Sequence, residues 1–168
     1  MISLNALIAL AFFPVTVIWA GIGDLTTMKI PNRLVLTMLA GYVILAPYAG
    51  FSMSQIALSL AGASMVFFVA FGAFAKGWMG GGDVKLMAVA ALWLGLPQLA
   101  AFLLFTCVSG AVLTLVLMEI RSRPLAKAVL GCDWAWRLHS RETGVPFGMA
   151  IAMGSLIAFA SSPWMALR

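Results

Sequence analysis

The chain has 168 residues, of which 64% are hydrophobic and only 9% are charged, and its mean hydropathy is +1.09. This composition excludes a soluble domain and predicts an integral membrane protein built as one domain over residues 1–168. The net charge of +5 does not indicate a nucleic-acid-binding protein, because the basic residues are dispersed between apolar runs and form no basic face.

Six apolar runs are separated by polar segments or by segments containing glycine and proline, and each run predicts a transmembrane helix. The runs cover residues 2–23, 34–50, 55–75, 84–96, 98–118 and 145–164. The fourth and fifth runs are divided only by the short segment LGLPQ, so one kinked helix is an alternative for that region. The predicted fold is an all-α bundle of about six transmembrane helices.

The loops of this bundle predict its orientation. With six spans, the loops at about 24–33, 76–85 and 119–144 share one side of the membrane and carry nine of the ten Lys and Arg residues. By the positive-inside rule that side is the cytoplasm, so both termini are expected outside the cytoplasm. In the last loop Leu125, Val129, Cys132 and Trp136 recur at helical spacing, which predicts a helix lying in the membrane interface.

Two aspartates lie at the ends of apolar runs. Asp24 follows the first run, and Asp83 follows three glycines immediately before the fourth. A carboxylate costs roughly 3 kcal/mol at the centre of a membrane and less toward the interface, so each of these residues needs a physical reason. One reason is capping, in which Asp24 caps a short helix beginning at Leu25 and Asp83 caps the fourth helix. The other is chemistry, because the predicted topology allows the two carboxylates to meet.

A pair of neighbouring carboxylates is suited to peptide hydrolysis. Two such groups cannot both ionise easily, so one keeps its proton near neutral pH. The ionised member can take a proton from water, and the protonated member can polarise a peptide carbonyl and later protonate the leaving amine. The alternative is a small non-enzymatic transporter or assembly factor whose aspartates bind a proton or a cation at a helix break.

Three motifs carry a family resemblance. The segments DLTTMKIPN (24–32), GGGDVKL (80–86) and GVPFG (144–148) resemble the motifs of type IV prepilin peptidases, a family of intramembrane aspartic peptidases with a GxGD motif. The resemblance implies that Asp24 and Asp83 are the catalytic pair. Phe147 stands where the family more often has tyrosine. The resemblance also implies supporting roles for Gly80, Gly82, Lys85, Pro31, Asn32, Pro146 and Gly148.

The resemblance further implies the substrate and the cellular location. Family members cleave the short basic leader of prepilins at the cytoplasmic face of the inner membrane, so the implied partners are a prepilin and the lipid bilayer, with no metal or cofactor. Longer bifunctional members carry an insertion with paired CxxC motifs that is associated with methylation of the new amino terminus. Here the first loop, residues 24–33, contains no cysteine. The chain therefore resembles the short members that serve Flp-type, or tight-adherence, pilus systems.

Overall fold

The computed structural model describes residues 4–124, 132–140 and 142–167, and no strand occurs within these ranges. The chain folds there into α-helices joined by short connections. The α-helices are α1 (Leu4–Thr27), α2 (Asn32–Tyr48), α3 (Met53–Ala75), α4 (Gly81–Leu94), α5 (Leu99–Ser122), α6 (Asp133–His139) and α7 (Phe147–Phe159), with 3-10 turns at Leu96–Gln98 and Pro163–Leu167.

Within the described residues, three stretches are long and apolar enough to cross a membrane. These stretches are Ile8–Thr27, Met53–Ala75 and Leu96–Ser122. They support the prediction of an all-α membrane protein. The helices α2, α4 and α7 have 17, 14 and 13 residues, which at about 1.5 Å per residue makes them shorter than a bilayer core of roughly 30 Å. Six crossings and the orientation of the termini stay predictions.

The short helix α4 lies inside the bundle. Nearly all side chains from Val84 to Leu94 are buried, with α3 along one side and α7 along another, and α7 also packs against α1 and α5. The indole Nε1 of Trp93 donates to the carbonyl oxygen of Met38 at 2.9 Å, and Nε1 of Trp164 donates to the carbonyl oxygen of Trp93 at 2.7 Å. Because these bonds satisfy the buried indole N–H groups, α4 has a fixed position in the core.

The first helix ends later than the sequence predicted. It was expected to end at Gly23, with Asp24 outside it or capping a helix that begins at Leu25, but α1 continues through Asp24 to Thr27. The Thr27 hydroxyl donates to the carbonyl oxygen of Gly23 at 2.7 Å. The N–H of Met28 donates to the backbone carbonyl oxygen of Asp24 at 2.8 Å. These bonds close the last turn around the aspartate. The capping interpretation of Asp24 is therefore wrong.

The fourth helix begins earlier than predicted. It begins at Gly81 instead of Val84, with Gly80 as its N-cap residue, because the N–H of Val84 donates to the carbonyl oxygen of Gly80 at 3.2 Å. Asp83 lies in the first turn, so the interpretation of Asp83 as the N-cap residue of α4 is also wrong. At the other end, Gly95 has φ +76° and separates α4 from α5. This break confirms the predicted division of the region and excludes the single kinked helix.

The segment before α7 is only partly as predicted. It contains the short helix α6, which packs against α1 and α5. The predicted interfacial helix would have begun near Leu125 and Val129, which lie outside the described residues. The last helix begins at Phe147, two residues later than expected.

Candidate active site

Asp24 is held by the first turn of α7. Its side chain is only 6% exposed, and its Oδ2 accepts a hydrogen bond from the N–H of Gly148 at 2.7 Å. The first N–H groups of a helix have no partner within that helix, and the positive end of the helix dipole favours a negative charge beside them. Pro146, the N-cap residue of α7, is itself buried. The start of α7 therefore fixes the Asp24 carboxylate.

Gly148 leaves no room for a side chain at this contact. A Cβ atom added to it would lie 2.8 Å from Oδ2 of Asp24 and 2.9 Å from Cδ1 of Ile30. Glycine thus allows the backbone to approach the carboxylate closely. Ile30 also lies 3.2 Å from the position of a Cβ atom at Gly82. This isoleucine fills the space between the first turns of α4 and α7, a role that the sequence did not predict.

Asp24 and Asp83 line one cavity of about 620 Å³, the site cavity. Its other walls are residues 27–32, which connect α1 to α2, and residues 80–82 at the start of α4. Asp24 is buried, whereas Asp83 is partly exposed. In the described part of the chain, no three His, Cys, Asp or Glu side chains come together as metal ligands. The structure thus brings the two predicted aspartates together at one cavity.

The two carboxyl groups differ in environment. Asp83 lies outside the three long apolar stretches. Burial, together with the negative charge of Asp24, raises the pKa of Asp83 to about 7. A backbone hydrogen bond from Gly80 lowers this pKa and offsets part of the rise. The raised pKa brings the titration of Asp83 into the neutral range. Two carboxyl groups that line one cavity are chemically able to act as proton donor and proton acceptor at a carbonyl group.

Lys85 and Asn32 contact each other. The Nζ atom of Lys85 donates to Oδ1 of Asn32 at 3.0 Å, and both side chains are exposed. Asn32 begins α2 and lines the site cavity, and Pro31 is the N-cap residue of that helix. The bond therefore links the beginnings of α2 and α4. Lys85 and Asp83 both lie in the described part of the chain, and no salt bridge joins them.

Gly80 keeps the space beside Asp83 open. A Cβ atom at Gly80 would lie 3.0 Å from Oδ2 of Asp83, tighter than an ordinary van der Waals contact. Because it has no side chain, Gly80 lets the backbone at the start of α4 lie close to the Asp83 carboxyl group, as Gly148 does for Asp24 at the start of α7. The ring of Phe147 packs closely against Gly110 of α5, where an added Cβ atom would lie 2.6 Å from Cε2 of Phe147.

Arg121 was not singled out in the sequence, where it is one basic residue among several. Its guanidinium group donates to the carbonyl oxygens of Leu138 at 2.8 Å and Gly144 at 3.0 Å, and to Oγ1 of Thr143 at 3.3 Å. A planar guanidinium group has five N–H donors in a fixed arrangement, which suits several acceptors at once. Arg121 thus fixes the segment that leads into Pro146 and α7.

Comparisons with known proteins agree with the motifs. Residues 11–115 match the model of the Type IV leader peptidase family. The chain is 34% identical over 165 residues to a "Prepilin leader peptidase/N-methyltransferase" of Bacillus subtilis (strain 168), covering 94% of this chain and 57% of that protein. A protein of the same name from Legionella pneumophila is 29% identical over 140 residues, covering 80% of this chain and 43% of that protein. The chain thus spans about half the length of these curated relatives, and no solved structure matches it significantly.

Proposed function

Because the chain belongs to the type IV leader peptidase family, we propose that it is a prepilin peptidase in which Asp24 and Asp83 hydrolyse the peptide bond after a basic leader. The observation that carries this proposal is the cavity that both aspartates line. The names of the two relatives support a prepilin-type substrate. Flp-type prepilins are the proposed substrates because the short first loop resembles that of the short family members.

In the proposed mechanism Asp24 is the base and Asp83 is the acid. Asp24, whose Oδ2 accepts the N–H of Gly148, takes a proton from a water molecule as the water oxygen bonds to the scissile carbonyl carbon. Asp83 is protonated and hydrogen-bonds to the carbonyl oxygen as negative charge develops there. When the C–N bond breaks, Asp83 gives its proton to the leaving nitrogen. The proton that Asp24 took from water then passes to Asp83, which restores the pair, and the products are a carboxyl-terminated leader and a mature chain with a free amine.

The site is proposed to face the cytoplasm of a bacterial inner membrane. This orientation rests on the basic residues, nine of which fall in the loops assigned to the cytoplasmic side. Peptidase activity alone is proposed, although the relatives are named as peptidase and N-methyltransferase. The reason is that the first interhelical loop, residues 24–33, is short and contains no cysteine.

The rate of cleavage should fall as the pH rises through about 7. Asp83 is the proposed acid and must be protonated, and its raised pKa of about 7 means that the proton is lost above that pH. The rate should then fall by about tenfold per pH unit. Initial rates measured from about pH 5 to pH 9, on a peptide without titratable side chains near the bond, test this. A rate that is constant or rises from neutral to alkaline pH would contradict the assignment.

The proposed function is tested by co-expression with a Flp-type prepilin and mass spectrometry of the pilin amino terminus. Loss of the leader after a glycine is expected only when the peptidase is present, and an added methyl group would reveal a second activity. An intact leader on every prepilin tried would overturn the proposal. The transporter alternative would then be tested by proton- or sodium-dependent flux in proteoliposomes.

A further inference from the structure

Arg121, in the last turn of α5, binds one short segment of the chain. Its Nε atom donates to the carbonyl oxygen of Leu138 at 2.8 Å, and its Nη2 atom donates to the carbonyl oxygen of Gly144 at 3.0 Å. Nη2 also donates to Oγ1 of Thr143 at 3.3 Å. No carboxylate in the described part of the chain pairs with this guanidinium group. Its described hydrogen bonds thus all go to uncharged groups of residues 138–144.

Arg121 and Thr143 together complete the end of α6. The last carbonyl groups of a helix have no partner within that helix, and a positive charge beside them is favourable. In α6 the carbonyl oxygen of Leu138 accepts from Arg121, and the carbonyl oxygen of Arg137 accepts from the Thr143 hydroxyl. The Thr143 oxygen in turn accepts from Arg121. The end of α6 and the residues before α7 therefore share one hydrogen-bonded network.

The link from this network to Asp24 is short and stiff. Residues 145–147 alone separate Gly144 from Gly148, whose N–H donates to Oδ2 of Asp24 at 2.7 Å. Pro146 lies in this link with φ −70°, a torsion that its ring fixes, and the residue before a proline is restricted as well. A displacement at Gly144 therefore has to move Gly148, because few torsions between them are free to absorb it.

α5 holds the beginning of α7 at a second point. The ring of Phe147 packs against Gly110, where an added Cβ atom would lie 2.6 Å from Cε2 of Phe147. Gly110 and Arg121 are about three helical turns apart, so they lie on the same face of α5. This helix packs mainly on α7 along its length. One helix thus provides both contacts that fix where α7 begins.

We propose that Arg121 is a positioning residue for the cleavage reaction. By holding Gly144 it places the N–H of Gly148, and that N–H sets the orientation of the Asp24 carboxylate. This inference rests on the proposed peptidase function. Arg121 is not part of the described lining of the site cavity, so its effect on cleavage passes through the start of α7. The planar guanidinium group is needed, because a lysine has a single nitrogen and cannot serve separated acceptors.

Arg121→Lys tests this role while keeping the positive charge. For prepilin cleavage, kcat should fall by about tenfold with KM unchanged, because Asp24 is slightly misplaced while the substrate still binds. Arg123→Lys is the matched control, since Arg123 is exposed at the end of the same helix and binds Glu119. The control should cleave at the parental rate. A parental kcat for Arg121→Lys, or an equal loss in both variants, would overturn the proposal.

Combining Arg121→Lys with Gly148→Ala distinguishes positioning from a loss of folded protein. Gly148→Ala already displaces Asp24, so little remains for the second change to remove. The combined variant should therefore stay near the loss of about 100-fold expected from Gly148→Ala alone. Independent effects, or a smaller folded fraction, would instead multiply to about 1,000-fold. That result would contradict an action of Arg121 through the Gly148 amide.

Thr143→Val provides a second variant that leaves the guanidinium group in place. It removes the hydroxyl that accepts from Arg121 and donates to the carbonyl oxygen of Arg137. Loss of these bonds should lower kcat by about threefold, and Gly148→Ala should again mask the effect. If Arg121→Lys is not recovered folded from membranes, Thr143→Val decides: a parental kcat, or a loss that multiplies with Gly148→Ala, would overturn the proposal.

The outcomes separate this inference from the proposed function. If the parent cleaves the prepilin and the Arg121 and Thr143 variants match it, the positioning role fails while the peptidase function stands. A parent that cleaves no prepilin would overturn the peptidase function and the inference together.

Discussion

Replacing Asp83 with asparagine is expected to reduce prepilin cleavage by about 10³-fold or more, and Asp24→Asn should have the same effect. Each change keeps the size of the side chain but removes either the proton donor or the proton acceptor of the pair. The mature pilin amino terminus, quantified by mass spectrometry after co-expression, measures the result. The effect should be this large for either change, because the remaining carboxyl group cannot take over the role of the one that is lost.

Asp133→Asn is the matched control for the aspartate changes. Asp133 is exposed in the first turn of α6, so its charge can be removed without affecting the site cavity. This variant should process prepilin at the parental rate. All three variants should be recovered from membranes in parental amounts with the same elution profile in detergent. Appreciable mature pilin from either site variant would show that the carboxyl pair does not carry the reaction.

Gly148→Ala is expected to reduce cleavage by about 100-fold, although it adds only one methyl group. The methyl carbon would lie 2.8 Å from Oδ2 and 2.9 Å from Cβ of Asp24, so the carboxylate has to move away from the amide that holds it. Ile30, at 2.9 Å, closes the other direction. A displacement of the order of 1 Å in a catalytic group commonly costs about 10²-fold in rate.

The matched control for this change is Gly23→Ala, which adds a methyl group next to Asp24 in sequence. A Cβ atom at Gly23 would meet nothing within 4 Å, and alanine favours the helix. Initial rates of cleavage for the two variants, compared with thermal unfolding of each in detergent, separate a local from a global effect. Equal rates for Gly148→Ala and Gly23→Ala would contradict the positioning of Asp24 by α7.

The order of the helices could be predicted because apolar length and glycine or proline breaks are local properties of the sequence. The helix ends beside the site could not be predicted. In a sequence, an aspartate inside the last turn of a helix cannot be distinguished from an aspartate that caps the next helix, and the bond from the Thr27 hydroxyl to Gly23 leaves no local pattern. The start of α4 was misplaced for a similar reason. Three glycines indicate a loop, yet here Gly81 and Gly82 belong to the helix, where an added Cβ atom would lie 3.3 Å from Phe74 and 3.2 Å from Ile30 respectively.

The contacts that complete the site lie beyond any local pattern. The bond between Gly148 and Asp24 joins residues 124 positions apart, and Arg121 acts on a segment 17 to 23 residues further along the chain. The motif resemblance brought Gly148 to attention but did not predict what it touches. Arg121 had no distinguishing signal, since its partners are mostly backbone carbonyl groups that every residue possesses.

The distance along the chain between Asp24 and its donor also orders events during biosynthesis. α1 leaves the ribosome long before α7, so the growing chain carries Asp24 without the amide of Gly148 until the last helix has inserted and packed against the first. During that interval the carboxyl group has to remain near the membrane surface or stay protonated. A nascent chain without α7 therefore lacks the N–H group that holds the Asp24 carboxylate, and the proposed activity is expected only after α7 has packed against α1.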